Sequence, residues 1–84
     1  MYKVTITKSA QKEMQTIPTV YYVSIVNHIY GLAENPRPSG CVKLVGSENS
    51  FRIRVGVYRI IYTVEDDRLI VEVVKVDHRS SVYR

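Results

Sequence analysis

The stretch FRIRVGVYRIIYTV, Phe51 to Val64, constrains the fold more than any other part of the chain. Side chains alternate faces along a strand, so Phe51, Ile53 and Val55 point one way and Arg52 and Arg54 the other. Gly56 bends the run, and YRIIYTV returns it as a second strand carrying Arg59. The result is a hairpin with one apolar face for a core and one face holding Arg52, Arg54 and Arg59. No acidic residue within the stretch pairs with them. Like charges opposed in a sheet disfavour folding, so the pattern points to a bound anion. The competing reading is a solvated basic face, against which stands the lack of the Thr, Glu and Lys mixture usual on exposed strands.

The 84 residues close a single core, and the chain is expected to be one domain, 1–84. YKVTIT, residues 2–7, alternates as a short strand, and Ser9 is a helix N-cap candidate before AQKEMQ. Pro18 opens a second helix running to about Glu34, which NPRPSG stops. VKLV, FRIRV, YRIIYTV and LIVEVVKV then read as strands. This order gives an α+β fold, two N-terminal helices packed on one face of a mostly antiparallel sheet of roughly four to five strands. The second helix carries no Lys, Arg, Asp or Glu between Pro18 and Ala33. Tyr22, Ile25, Ile29 and Leu32 make its core stripe, and Val20, Val23, Val26 and Tyr30 are left over. Either the first helix covers them or they form a dry docking groove for a partner protein.

Twelve Lys and Arg against eight Asp and Glu leave a net charge of +4, which favours an anionic partner such as nucleic acid. A lone Cys41, no secretory signal and no apolar run of about 18 residues suit a soluble cytoplasmic protein without a membrane partner. No Gly-rich phosphate loop, G-x-S-x-G elbow or zinc-type Cys/His cluster is present. The triplet Glu65, Asp66, Asp67 falls where a hairpin must turn, so it reads as turn chemistry and no metal or cofactor is expected. Cys41 reads as an inert thiol and His28 as a packed or half-exposed helix residue. If the last strand, ending VDHR, pairs near Arg59, His78 and Arg79 reach the arginine region, where Tyr83 is available to stack on an exposed base.

The run from Asn35-Pro36 to Lys43-Leu44-Val45-Gly46, then FRIRVGVYRIIY, the EDD turn and VDHRSSVYR, resembles the RelE/ParE toxin superfamily, specifically its RelE-like messenger-RNA interferases. The resemblance spans nearly the whole chain, though the front half matches only in plan. It implies a toxin of a type II toxin-antitoxin system, a metal-independent endoribonuclease that cleaves messenger RNA in the ribosomal A site. It places Arg52 and Arg54 at two basic strand positions and Arg59 on the phosphate-gripping strand. Arg79 then lies near the leaving group and Tyr83 positions or stacks the substrate; Lys43, with Arg52 and Arg59, belongs to substrate binding. The implied reaction is attack of a ribose 2′-hydroxyl on the adjacent phosphate, needing a base, an acid and cations for the phosphorane. Guanidinium groups serve the third need and not the first, and several relatives carry lysine where this chain has Arg54. His78 is the acid/base candidate, because its unperturbed pKa lies near neutrality and neighbouring arginines favour its neutral form. A structural His78 is the alternative, since strand alternation turns His78 and Arg79 to opposite faces unless the strand has ended.

The implied partners are a cognate antitoxin and messenger RNA on the ribosome. The antitoxin is expected to lay an acidic amphipathic segment across the apolar helix and the basic face. Two other functions are open: a ParE-like toxin that binds a protein target such as gyrase, and an RNA-binding domain without activity.

Overall fold

A computed structural model describes residues 1–78. The elements are β1 (Lys3–Ile6), α1 (Lys8–Met14), α2 (Thr19–Gly31), β2 (Val42–Lys43), β3 (Ser50–Val55), β4 (Tyr58–Glu65) and β5 (Ile70–His78). The strands form one five-stranded sheet in the order β1-β5-β4-β3-β2. β1 runs parallel to β5 and every other pairing is antiparallel. This is the expected α+β plan. Apolar residues of one parity, Ile53, Ile60, Tyr62, Val71 and Val73 among them, are buried against Ile25 and Ile29 of α2 and Ala10 and Met14 of α1.

Local boundaries shift for identifiable reasons. Thr7, not Ser9, caps α1: its Oγ1 accepts a hydrogen bond from the Ala10 amide at 3.1 Å, satisfying a first-turn donor. Pro18 sits at the cap of α2 instead of in its first turn, and its carbonyl accepts from the Tyr21 and Tyr22 amides at 3.0 Å each. The helix ends at Gly31, and Leu32 and Ala33 continue in tighter bonds to Ile29 and Tyr30. The VKLV strand shrinks to Val42–Lys43: the Leu44 amide still donates to the Ser50 carbonyl at 2.9 Å in the β3 register, and the chain then turns at Val45–Gly46, where Gly46 takes φ +83. Tyr22 is exposed, not core, and so are Val20, Val23 and Tyr30. The first helix does not cover them. Instead, α1 lies along β5, where the Glu13 carboxylate accepts from the Val76 amide and from Lys75 Nζ, each at 3.0 Å. Glu13 thereby caps the edge that β5 exposes once β1 has ended.

Two details of the sheet position the arginines. Gly56 takes φ +61 while Val57 is not in the positive-φ region, the pattern of a two-residue type II′ turn. The turn closes on the Val55–Tyr58 pair and therefore sets Arg54 directly opposite Arg59. On the other side of β4 the register slips between Ile61 and Tyr62: Ile61 pairs with Lys75 and Tyr62 with Val73, leaving Val74 as a bulge. Such an insertion reverses the alternation of everything beyond it. Val73 and Val76 are thus both buried, and Asp77 faces away from the helices.

A strap at Asn35–Pro38 ties the α2–β2 connection to the sheet. The Tyr62 hydroxyl, buried beneath it, donates to the Pro36 carbonyl at 2.8 Å, and burial pushes the phenol well above its ordinary range. The Arg37 guanidinium lies 5.2 Å from the Phe51 ring centre and forks onto Asp66 at 2.7 and 3.1 Å. Tyr2 donates to the same carboxylate at 2.6 Å. The Arg37 bond first, and the Tyr2 bond next, hold the Asp66 carboxyl below its usual value. Asp66 of the acidic triplet is thus a structural anchor. Tyr62→Phe strands the Pro36 carbonyl without a donor and is expected to cost about 1–3 kcal/mol. In urea titration this reads as a lower midpoint with an unchanged slope; an unchanged midpoint would show that water replaces the bond.

Candidate nucleic-acid interface

Arg52, Arg54 and Arg59 share the sheet face that no helix covers among the described residues. Arg54 is exposed and makes no hydrogen bond or ion pair among the described residues. Arg59, half-buried, is gripped by Asp77 in a two-point fork, Nε to Oδ1 at 3.0 Å and Nη2 to Oδ2 at 2.8 Å. The two side chains are only 19% and 14% exposed, so the pair is shielded from solvent and fixed in direction. Arg52 lies between Val42 and Ile61 in the cross-strand row, and its Nε is buried without a hydrogen-bond partner among the described residues. A buried donor with no acceptor is costly, and an anion that accepts from it removes that cost.

The arginine face therefore has three states of cation. One is clamped, one is open to solvent, and one holds an unsatisfied donor. Among the described residues, Asp77 is the acidic side chain set within this cluster, two strands away from Arg54 and absent from the hairpin itself. The hairpin alone did not reveal Asp77. The signal is the V-D-H sequence read in antiparallel register against Y-R-I, provided the Val74 bulge is allowed for.

The structure separates the other candidates. His78 pairs with Tyr58 in register, and its ring packs edge-on against the Tyr58 ring at 5.2 Å. Tyr58 in turn touches Tyr21 at 5.5 Å. His78 is thus on the helix-bearing side, lining a hollow of about 580 Å³ with Ser9, Lys12 and Glu13, across the sheet from the arginines. The bulge that brings Asp77 to the arginines takes His78 away from them. Lys43 pairs with Phe51 and falls on the same side as that core residue, at the sheet edge. Arg79 and Tyr83 lie outside the described residues. His28 bonds through Nδ1 to the Ser24 carbonyl at 2.7 Å, a helix-surface contact with no part in the interface. No helix among the described residues is long and apolar enough to cross a membrane.

A family model described as the ParE toxin of the type II toxin-antitoxin system parDE matches residues 4–83. The chain belongs to this toxin family. Toxin RelG of Mycobacterium tuberculosis is 29% identical over 84 residues, covering 99% of this chain and 97% of RelG. Toxin RelE of the same organism is 31% identical, covering 99% of this chain and 87% of RelE. Among solved structures, the archaeal RelE-RelB complex from Pyrococcus horikoshii superposes with a TM-score of 0.84 at 29% identity, covering 93% of this chain and 94% of that one. The family model carries the ParE name, but these full-length relatives are of the RelE kind. The protein is a RelE-type toxin of a type II toxin-antitoxin system, built on the RelE fold.

The clamp on Arg59 has a measurable worth. In a double-mutant cycle, Arg59→Ala and Asp77→Ala of this toxin are expected to couple by about 1–3 kcal/mol in unfolding free energy, because each single change removes one half of a shielded two-point ion pair. Additive effects in the cycle would mean that the fork contributes nothing to the fold.

Proposed function

We propose that the toxin is an endoribonuclease that cleaves messenger RNA in the ribosomal A site. The observation that carries this reading is the set of Arg52, Arg54 and Arg59 on one uncovered sheet face, two of them directly opposed. A bridging phosphate relieves the opposition and receives the planar fork that guanidinium groups match best. Attack of the 2′-hydroxyl builds negative charge on the phosphorane, and a cation already held in place, as Arg59 is by Asp77, stabilises that charge more than the ground state. Asp77 acts as a positioning residue, keeping Arg59 pointed along the face. In the proposal Arg79 assists the departing 5′-oxygen and Tyr83 stacks on a base. The guanidinium groups stay protonated at ordinary pH, so none of them takes the 2′-hydroxyl proton. His78, across the sheet, is assigned no step.

A cognate antitoxin is the partner in this reading, as in the RelE-RelB complexes that the fold resembles. An acidic segment covering the arginine face would silence it, and the uncharged face of α2 with Val20, Val23 and Tyr30 exposed offers it apolar purchase.

The test is primer extension on a defined messenger RNA in a purified translation system. Wild type is expected to cut within A-site codons, and Arg59→Ala and Arg79→Ala to lower the cutting by at least about a hundredfold. Stoichiometric antitoxin is expected to abolish it. Intact messenger RNA under conditions where expression still arrests growth would instead favour a protein target of the ParE kind.

A further inference from the structure

The uncovered face extends beyond the arginines. One cross-strand row past Arg52 and Ile61, Ser50, Thr63, Glu72 and Thr5 align in register across β3, β4, β5 and β1. This row lies two residues along the strands from the Arg52 row, about 6–7 Å away. Next to it the face sinks into a hollow of about 300 Å³ lined by Thr5, Thr63, Glu65, Arg68, Ile70 and Glu72. Arg68, in the β4–β5 turn, is held by Glu65 at 3.2 Å. Glu72 is exposed and makes no hydrogen bond or ion pair among the described residues.

The chemistry of this hollow differs from that of the arginine rows. Two carboxylates repel phosphate, so the backbone of a bound strand is not drawn there. A nucleobase is a different matter. The side chain of Ile70 gives an apolar surface, and the guanidinium plane of Arg68, steadied by Glu65, is a surface on which a base stacks. Threonine hydroxyls serve as donors or acceptors to any base, whereas a carboxylate accepts only from N–H groups. The exocyclic amine of cytosine, adenine or guanine supplies such a donor at the base edge, where uracil presents a carbonyl; the donor of uracil is its ring N3–H, set one position further in.

We propose that this hollow is a base-reading subsite beside the phosphate-gripping arginines, in which Glu72 selects a nucleobase bearing an exocyclic amine over uracil. The subsite rests on the nuclease reading above and assigns it a specificity residue. It acts at one fixed position relative to the cut, because the row and the arginines belong to one rigid sheet. Arg68 contributes stacking, which every base accepts, and so contributes affinity without discrimination.

The experiment uses pairs of messenger RNAs differing by cytosine or uracil at single positions flanking a mapped cut, on programmed ribosomes with the full-length toxin. Wild type is expected to prefer cytosine by about tenfold at one position, the scale of one good carboxylate–amine contact. In Glu72→Ala the ratio at that position falls toward one. Arg68→Ala lowers cleavage of both templates alike and keeps the ratio. Thermal unfolding of each variant checks the fold. Cutting by wild type with no cytosine preference at any position, or with a preference that survives in folded Glu72→Ala, would overturn the subsite. No cutting by wild type would overturn the nuclease reading itself.

Discussion

Asp77 reaches Arg59 because β5 gains one residue at Val74. Without that bulge the alternation set by Val71 and Val73 would turn Asp77 toward the helices and take its carboxylate away from the opposed Arg54 and Arg59. With it, a shielded carboxylate takes two of the donors of Arg59 and fixes the guanidinium plane. The same slip accounts for the position of His78 against Tyr58. One inserted residue thus sorts the last strand: carboxylate to the arginine face, imidazole to the helix side.

The rest of the scaffold supports this sheet from the side opposite the arginines. Among the described residues the helices pack on the opposite face, where α1 follows β5 and α2 buries Ile25 and Ile29. The strap at Asn35–Pro38 is bound by Tyr62 from below and by the Arg37–Asp66 fork at its side, which links the helical half of the chain to the β4–β5 turn. Much of that fork is exposed, so its worth is modest, whereas the Tyr62 bond is buried. The sheet edges are managed too. β2 is only two residues long, and Glu13 occupies the β5 edge beyond β1.

The hairpin was legible because its alternation has period two and Gly56 marks its turn. From these alone follow the faces of Arg52, Arg54 and Arg59 and the apolar parity beneath them. The acidic partner was not legible, since a bulge leaves no mark in composition and V-V-K-V fits either register. Ser9 and Thr7 are both competent caps, and only the chain direction leaving β1 decides between them. VKLV has strand propensity throughout, yet the chain turns at Val45–Gly46. Three of the four stripe positions on α2, Ile25, Ile29 and Leu32, are buried, whereas Tyr22, one turn from the start of the helix, stays at the surface beside the end of α1. The link from Arg37 to Asp66 spans 29 residues and has no local signature.

The central claim is that a forked, directed guanidinium at Arg59, and not positive charge alone, stabilises the reacting phosphate. Single-turnover cleavage on programmed ribosomes by Arg59→Lys and Asp77→Asn tests it, since the first keeps the charge without the fork and the second weakens the hold on its direction. Both are expected to slow the chemical step at least about tenfold in folded protein. Wild-type rates in the two variants would contradict it and reduce the arginine face to a charged surface.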